Sequence, residues 1–223
     1  MSKAPTIPLD ERLRVIEVYA SIQGESRYAG IPCTFVRLAG CNLRCRWCDS
    51  EFTFTGGEHR SIQSVVEEVA ALGLPLVEVT GGEPLAHRQC LSLLQRLVEA
   101  GHRVLLETSG SISIAGVPSE VHIVMDLKAP DSGEMEANLW SNLAHLKESD
   151  EIKFVLASRQ DFEWTRDCIR KHHLEERFSL LLSPVHGELD AQDLALWMME
   201  EPCGWRMQLQ LHKLIWDPNA RGV

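Results

Sequence analysis

Short apolar runs alternate along the chain with segments in which apolar residues recur every three or four positions, which predicts alternating strands and helices. Strands are predicted over residues 13–20, 34–38, 76–79, 103–106, 121–125, 152–156, 178–182 and 207–211. Helices are predicted after Ser61, over 89–100 and 161–172, and from Asp190 through Met199. Ser61 and Asp190 are candidate N-caps, and helix signals are weak over 135–146.

Strands that alternate with helices form parallel sheets with right-handed crossovers. Roughly six β–α steps are too few for a closed eight-unit barrel. We therefore predict an α/β fold over residues 1–223: a single domain built as a partial, open TIM-like barrel of about six mainly parallel strands with reduced helices. The region from about residue 203 is expected to be a C-terminal extension.

Polar segments follow the predicted strands at their C-terminal ends, and in a parallel sheet these ends share one edge, where active sites are built. The segments cover 40–50, 80–83, 107–109, 126–128, Ser183 and 212–213.

Composition narrows the kind of partner. The 223 residues are 44% hydrophobic, and a net charge of −10 is scattered along the chain. Nucleic-acid binding needs clustered Lys and Arg, so we expect a small-molecule substrate and no nucleic acid.

No segment has signal-peptide character or a long apolar run, which predicts a cytoplasmic protein without a membrane span. Thiols stay reduced there, so Cys33, Cys90, Cys168 and Cys203 are expected to be small buried apolar residues.

Cys41, Cys45 and Cys48 fall within eight residues of the segment 40–50, the cysteine loop. Thiolates favour zinc and iron–sulfur centres. A structural zinc needs four ligands, whereas three cysteines leave one metal position open for a reacting group. The spacing alone also allows a zinc knuckle completed by Cys33 or His59.

A second motif, Gly81-Gly82-Glu83-Pro84, follows a predicted strand, and adjacent glycines allow the backbone to approach a ligand closely. The two motifs together resemble those of radical S-adenosylmethionine (SAM) enzymes. That resemblance implies a 4Fe-4S cluster on the three cysteines and SAM on the open iron. An electron from the cluster would cleave SAM, and the resulting 5′-deoxyadenosyl radical would abstract hydrogen from the substrate.

The whole chain, from the segment 21–25 to the segment 210–213, resembles the 7-carboxy-7-deazaguanine synthase family. The resemblance implies ring contraction of 6-carboxy-5,6,7,8-tetrahydropterin with loss of ammonia, in 7-deazapurine and queuosine biosynthesis. It also implies Mg²⁺, a homodimer, and an electron donor such as flavodoxin or ferredoxin.

The same resemblance assigns residues to three parts of a site. Substrate contacts are expected from Ile22, Gln23, Gly24, Glu25, Arg37, Thr80, His212 and Lys213. SAM contacts are expected from Trp47, Cys48, Asp49, Gly81, Gly82, Glu83, Glu107, Ser109, Asp126, Leu127, Lys128, Ser183, Pro184, Val185 and His186. Ser50 stands where the family usually has a threonine that binds Mg²⁺.

Several alternatives stay open at this point. Arg37 lies either on a solvated face or in the site, where its guanidinium would bind a carboxylate. The tail 216–223 runs beyond the point at which some members place a terminal carboxylate in the site, so no such carboxylate is expected here. A glycyl-radical activase and a non-enzymatic zinc-binding module are the rival functions.

Overall fold

The computed structural model describes residues 12–201, 203–218 and 220–223, and within these ranges nine strands form one sheet. The strands are β1 Arg12–Ile22, β2 Pro32–Leu38, β3 Glu58–Ser61, β4 Leu76–Gly81, β5 Arg103–Thr108, β6 His122–Asp126, β7 Glu151–Leu156, β8 Ser179–Pro184 and β9 Arg206–Met207. The α-helices are α1 Ile62–Leu72, α2 Cys90–Glu99, α3 Arg159–Lys171, α4 Ala191–Met199 and α5 His212–Ile215.

The order of strands across the sheet is β3-β1-β2-β4-β5-β6-β7-β8-β9. Every ladder from β2 to β9 is parallel, whereas β1 runs antiparallel to both β2 and β3. Because β3 and β9 are the two outer strands of this order, the sheet stays open. The predicted partial barrel is confirmed.

Both predicted helix caps are present. The Ser64 backbone nitrogen donates to Ser61 Oγ at 3.1 Å at the start of α1, and the Gln192 nitrogen donates to Asp190 Oδ1 at 2.8 Å at the start of α4. Each cap satisfies a backbone donor that the first helical turn leaves unpaired. Helix α1 ends at Gly73, whose φ of 70° is a left-handed conformation that favours glycine.

The apolar core lies mainly on the convex side of the sheet. One cluster joins β1, β2, β4 and β5 to α1 and α2, and another joins β6, β7 and β8 to α3 and α4. Along β5, Val104 and Leu106 belong to the first cluster, whereas Leu105 faces the concave side with Cys33 and Phe35. The helices therefore cover one face and leave much of the other available for polar side chains.

Three parts of the fold differ from or refine the expectations. Strand β3 was not predicted, because its residues are polar, none of them is buried, and they carry no apolar alternation. Strand β9 ends at Met207 instead of Leu211, since the Gln208 and Gln210 side chains turn to Glu25. The weak helix signal over 135–146 corresponds to two short 3-10 turns.

The four remaining cysteines follow the prediction with one exception. Cys33, Cys90 and Cys168 are buried, while Cys203 is half-buried against the core. Among the described residues, no helix is long and apolar enough to cross a membrane.

Candidate active site

A cavity of about 750 Å³ opens on the concave side of the sheet, at the edge where the parallel strands end. It gathers nearly all of the predicted site residues. Those that line it are Ile22, Gln23, Gly24, Glu25, Arg37, Cys41, Cys45, Trp47, Cys48, Asp49, Ser50, Thr80, Gly81, Gly82, Glu107, Ser109, Asp126, Lys128, Ser183, Pro184, Val185, His186, His212 and Lys213.

The cysteine loop places its three thiols in this cavity, each partly buried. The loop is held by backbone bonds, with Gly40 N donating to the Thr53 carbonyl at 2.6 Å and Cys48 N donating to the Cys45 carbonyl at 3.2 Å. Burial raises the pKa of all three thiols, that of Cys45 to about 11, while the Lys128 ammonium acts in the opposite direction on each. The neutral thiols are therefore the stable form until a metal replaces the protons.

The glycine pair lets β4 pass directly against the cysteine loop. A Cβ on Gly82 would lie 2.2 Å from the Gly40 oxygen and 2.9 Å from Cys41 Cβ, and Gly81 has a φ of 144°. The Glu83 nitrogen donates to the same Gly40 oxygen at 2.9 Å. Only glycine permits this approach, so the motif sets the position of Cys41 relative to the sheet.

Glu83 and Leu127 do not line the cavity. The Glu83 carboxylate is fully buried and accepts hydrogen bonds from Leu85 N, Ser109 N and the hydroxyls of Thr108 and Ser109. Leu127 is buried in the apolar core, and its nitrogen donates to the Lys153 carbonyl. Both side chains lie away from the cavity, and the expectation that these two residues contact SAM stays a prediction; the Glu83 carboxylate ties two cavity loops together.

The donor set fits an iron–sulfur cluster and a polar ligand beside it. Three thiols share one wall, and two buried oxygens on the adjoining wall, Asp126 Oδ1 and Ser183 Oγ, have no hydrogen-bond partner among the described residues. Buried polar atoms without partners are rare in folded proteins, which favours a bound ligand at this wall. No three His, Cys, Asp or Glu side chains in the described part of the chain are gathered closely enough to hold a single metal ion. The fit to a cluster and a neighbouring ligand thus rests on the chemical type of these side chains and on their presence in one cavity.

The segment 22–25 reaches the cavity from the opposite edge of the sheet. Because β1 is antiparallel, its end at Ile22 pairs with Pro32 at the start of β2, whereas the cysteine loop follows the end of β2. The backbone of Gln23 is anchored by Ile31 and Gly30, each at 2.8 Å. The segment Gln23-Gly24-Glu25, which we call the floor loop, therefore closes the cavity from below.

The start of α5 packs on the floor loop. A Cβ on Gly24 would lie 3.0 Å from His212 Nδ1, and Leu211 N donates to the Gly24 carbonyl at 3.2 Å. Burial lowers the pKa of His212, so its imidazole is neutral near pH 7. These contacts bring the C-terminal extension to the same cavity as the N-terminal strand.

Arg37 projects into the cavity and is not on a solvated face. Its side chain is 17% exposed, its Nε contacts Glu17 Oε1 at 2.8 Å, and its Nη2 donates to the Tyr19 hydroxyl at 2.7 Å. Its guanidinium also lies 5.7 Å from the centre of the Phe52 ring. Glu17 and Tyr19 hold the charged group in place while one edge of the guanidinium stays on the cavity side.

Two buried lysines, Lys128 and Lys153, pair with acidic groups of the cavity. Lys153 Nζ contacts Glu25 Oε2 at 2.8 Å and also pairs with Glu107, and Lys128 contacts Asp126 at 2.7 Å. Burial alone would lower the pKa of both lysines, but their carboxylate partners raise it, so both stay charged. Burial would raise the pKa of Glu107, but Lys153 lowers it below its usual range.

The side chains of Asp49 and Ser50 lie together at the upper rim. Ser50 Oγ donates to Asp49 Oδ1 at 3.1 Å, and Asp49 Oδ2 pairs with Lys213 Nζ at 2.8 Å. Burial would raise the pKa of Asp49, but Lys213 holds it well below its usual range. This pair links the cysteine loop to α5.

The end of the chain also reaches the cavity. Pro218 and residues 220–223 line it, and the Arg221 guanidinium lies 4.2 Å from the centre of the Phe52 ring. The sequence assigned no role to this tail, and the expectation that no terminal carboxylate belongs to the site stays a prediction. The tail packs over the cavity because stacking on Phe52 holds its last residues there.

Sequence reasoning missed Glu78 and Lys153, which both line the cavity. Each is a charged residue flanked by apolar neighbours in a buried strand. Such residues cannot be buried unpaired, and their alternation with apolar positions places them on the concave face. That pattern was available in the sequence and would have identified both.

Comparisons with known proteins agree with this geometry. The model of the Radical SAM superfamily matches residues 35–131. A 7-carboxy-7-deazaguanine synthase from Koribacter versatilis (strain Ellin345) is 45% identical over 226 residues, which cover 95% of this chain and 100% of the relative. One from Chlorobaculum tepidum is 44% identical, covering 95% and 97% of the two chains. The crystal structure of QueE from Escherichia coli has the same fold, with a TM-score of 0.74 at 23% identity over 89% of this chain and 94% of that one.

Proposed function

The chain belongs to the 7-carboxy-7-deazaguanine synthase family of the radical SAM superfamily, and we propose that it contracts 6-carboxy-5,6,7,8-tetrahydropterin to 7-carboxy-7-deazaguanine with loss of ammonia. The product would enter 7-deazapurine and queuosine biosynthesis. The observation that carries the proposal is that one cavity is lined both by the three cysteines and by Gln23, Arg37 and Thr80. We call the part with the cysteines the upper wall and the part with the other three residues the lower wall.

The upper wall is suited to the cluster and to SAM. Cys41, Cys45 and Cys48 would hold three irons, and the glycine pair, Asp126 and Ser183 would bind SAM. When bound, these two cofactors supply the electron and the radical that start the reaction. The chain itself contributes a partly closed cavity and fixed donors, which orient the bound molecules and keep bulk water out.

The lower wall is suited to a small carboxylated heterocycle. Arg37 is charged, partly buried and held by Glu17 and Tyr19, so it would bind the substrate carboxylate without first losing side-chain freedom. Thr80 Oγ1 donates to Glu107 Oε2 at 3.3 Å, which orients the hydroxyl beside the cavity. Gln23 and Glu25 also line this part of the cavity, where protein contacts hold both side chains in place.

Ser50 is proposed as a Mg²⁺ ligand. Mg²⁺ prefers oxygen ligands and keeps several waters, so one hydroxyl beside a carboxylate is a sufficient protein contribution. Ser50 and Asp49 provide this pair at the rim of the cavity.

The proposal extends to the surroundings of the enzyme. We infer a homodimer and an electron donor such as flavodoxin or ferredoxin. The exposed Leu214 and Ile215 of α5 support an interface between copies. A cluster held by three thiols also requires reduced cysteines, which supports work in the cytoplasm.

An anaerobic assay tests the function. Protein reconstituted with iron and sulfide is supplied with reductant, SAM, Mg²⁺ and 6-carboxytetrahydropterin, and the product is identified by mass. We expect 7-carboxy-7-deazaguanine and one ammonia per turnover from the native chain and from Cys203→Ala, and neither product nor bound iron from Cys45→Ala. A protein that cleaves SAM but leaves the pterin unchanged, or a colourless protein with one tightly bound zinc, would overturn the proposal.

A further inference from the structure

Five side chains form a continuous chain of contacts along the bottom of the cavity. Gln23 Nε2 donates to Glu78 on β4, and Glu78 adjoins Glu107 on β5. Glu107 pairs with Lys153 on β7, and Lys153 contacts Glu25 at 2.8 Å. The chain of contacts begins at Gln23 and ends at Glu25, both on the floor loop. The parallel strands β4, β5 and β7 therefore hold the two polar side chains of that loop.

The contact with Glu78 sets the orientation of the Gln23 amide. The Gln23 nitrogen points to Glu78, and its Oε1 accepts a hydrogen bond from Glu25 N at 2.5 Å. Reversing the amide would turn an oxygen to the carboxyl group and a nitrogen to a backbone N–H, losing both bonds. Glu78 thus determines how Gln23 faces the cavity and where the backbone at Glu25 lies.

Glu78 is suited to this task as a neutral acid. It is 3% exposed, and burial together with the nearby Glu107 carboxylate raises its pKa well above the usual range. The protonated form that this shift favours still accepts from Gln23 through one oxygen. Lys153, 5% exposed, pairs with both Glu25 and Glu107.

We propose that Glu78 and Lys153 are positioning residues that hold the floor loop in the conformation that meets the substrate. The identity of that substrate rests on the proposed function, whereas the anchoring of the loop does not. Neither residue belongs to the cysteine or glycine motif, and neither is needed to hold the helices on the sheet, because both face away from the convex core.

The test compares two replacements of Glu78 in the metal-free full-length protein. Glu78→Gln keeps one acceptor and one donor in the same shape, whereas Glu78→Leu keeps only the volume. Deuterium uptake of the peptide covering residues 21–31 reports on the loop, and quenching of 6-carboxypterin, an oxidised analogue of the proposed substrate, reports on binding. Glu99→Leu, at an exposed site on α2, is the matched control.

The proposal expects Glu78→Leu to speed exchange in residues 21–31 and to weaken 6-carboxypterin binding by about tenfold or more, with Glu78→Gln within about threefold of the native chain. Glu99→Leu should change neither. Lys153→Gln removes the ion pair that holds Glu25 on the floor loop and should also speed exchange in residues 21–31. If Glu78→Leu does not fold, this second variant tests the proposal.

Two results would overturn the proposal: unchanged exchange in residues 21–31 for the folded variants, or a Glu78→Gln variant that behaves like Glu78→Leu. Weaker binding with unchanged exchange counts against it as well, since Glu78 would then not act through the loop. If the native chain does not bind 6-carboxypterin while the exchange pattern is as expected, the proposed substrate is wrong and the anchoring of the floor loop stands.

Discussion

Replacing Glu83 should destabilise the protein more than any single change on its surface. The carboxylate is completely buried, and four donors point at it: Leu85 N at 2.9 Å, Ser109 N at 2.7 Å, Ser109 Oγ at 2.5 Å and Thr108 Oγ1 at 2.9 Å. Glu83→Ala leaves these buried donors without their acceptor. Glu83→Gln keeps one acceptor oxygen and turns the other into a donor that faces donors.

The size of the effect follows from the number of stranded donors. A hydrogen bond to a charged group contributes about 1.5–3 kcal/mol, and an unsatisfied buried donor costs about 1–3 kcal/mol. Because the donors share one acceptor, their costs do not add, and we expect about 3–5 kcal/mol for Glu83→Ala. For a chain of this length that lowers Tm by roughly 6–20 °C. Glu83→Gln should lose about half as much.

Urea unfolding of the metal-free protein, followed by far-UV circular dichroism, measures the loss directly. Glu99→Ala is the control, because Glu99 is exposed and accepts a hydrogen bond from Gln95 on its own helix. Its cost should stay below about 0.5 kcal/mol. If Glu83→Ala unfolds at the same urea concentration as Glu99→Ala, the carboxylate does not tie the two loops, and its assignment to SAM would regain weight.

Three further changes test other parts of the site. Gly82→Ala would place a Cβ 2.2 Å from a carbonyl oxygen of the cysteine loop, so this variant should bind much less iron on reconstitution. The control is Gly204→Ala, whose Cβ would have no atom within 4 Å, and equal iron contents in the two variants would contradict the packing argument. Arg37→Ala should bind 6-carboxypterin about 2–5 kcal/mol more weakly while keeping its iron, and an unaltered affinity would remove Arg37 from the substrate site. Burial would raise the pKa of Glu151, but contacts that include a hydrogen bond from His122 at 3.0 Å lower it. The Glu151 carboxylate therefore stabilises the fold at pH values above the pKa of Glu151 in the unfolded chain. This contribution is lost as the pH falls through the pKa of Glu151 in the folded protein. Glu151→Gln should therefore lower the urea midpoint at pH 7 and flatten its decline between about pH 5 and 3, and a decline as steep as that of the native chain would refute this.

Much of the fold and of the upper wall could be predicted from the sequence. Alternating apolar runs and amphipathic segments determine which residues form strands and helices, and parallel strands bring loops such as 40–50 and 80–83 to one edge. Ser61 and Asp190 could be predicted as caps, because each places a side-chain oxygen just before an amphipathic segment, where it can accept a hydrogen bond from a backbone N–H of the first helical turn. These inferences need only local chemistry and the period of the pattern.

The floor of the cavity could not be predicted in the same way. Periodicity does not reveal that β1 runs antiparallel, and this direction alone delivers the floor loop to the edge opposite the cysteine loop. Strand β3 carries no apolar alternation, and Gln208 leaves its strand for a long-range bond to Glu25. In the tail, Arg221 stacks on Phe52, and this contact depends on distant parts of the chain.

The concave face of the open barrel is polar. Helices α1 to α4 cover the convex face, whereas charged groups line the concave face. Buried ion pairs such as Lys153 with Glu107 add little net stability compared with apolar packing, so their presence is not explained by folding alone. They hold donors and charges at fixed positions before any ligand arrives. Such preorganisation lowers the cost of ordering a small polar substrate, and the position of the floor loop thus becomes part of the recognition of that substrate.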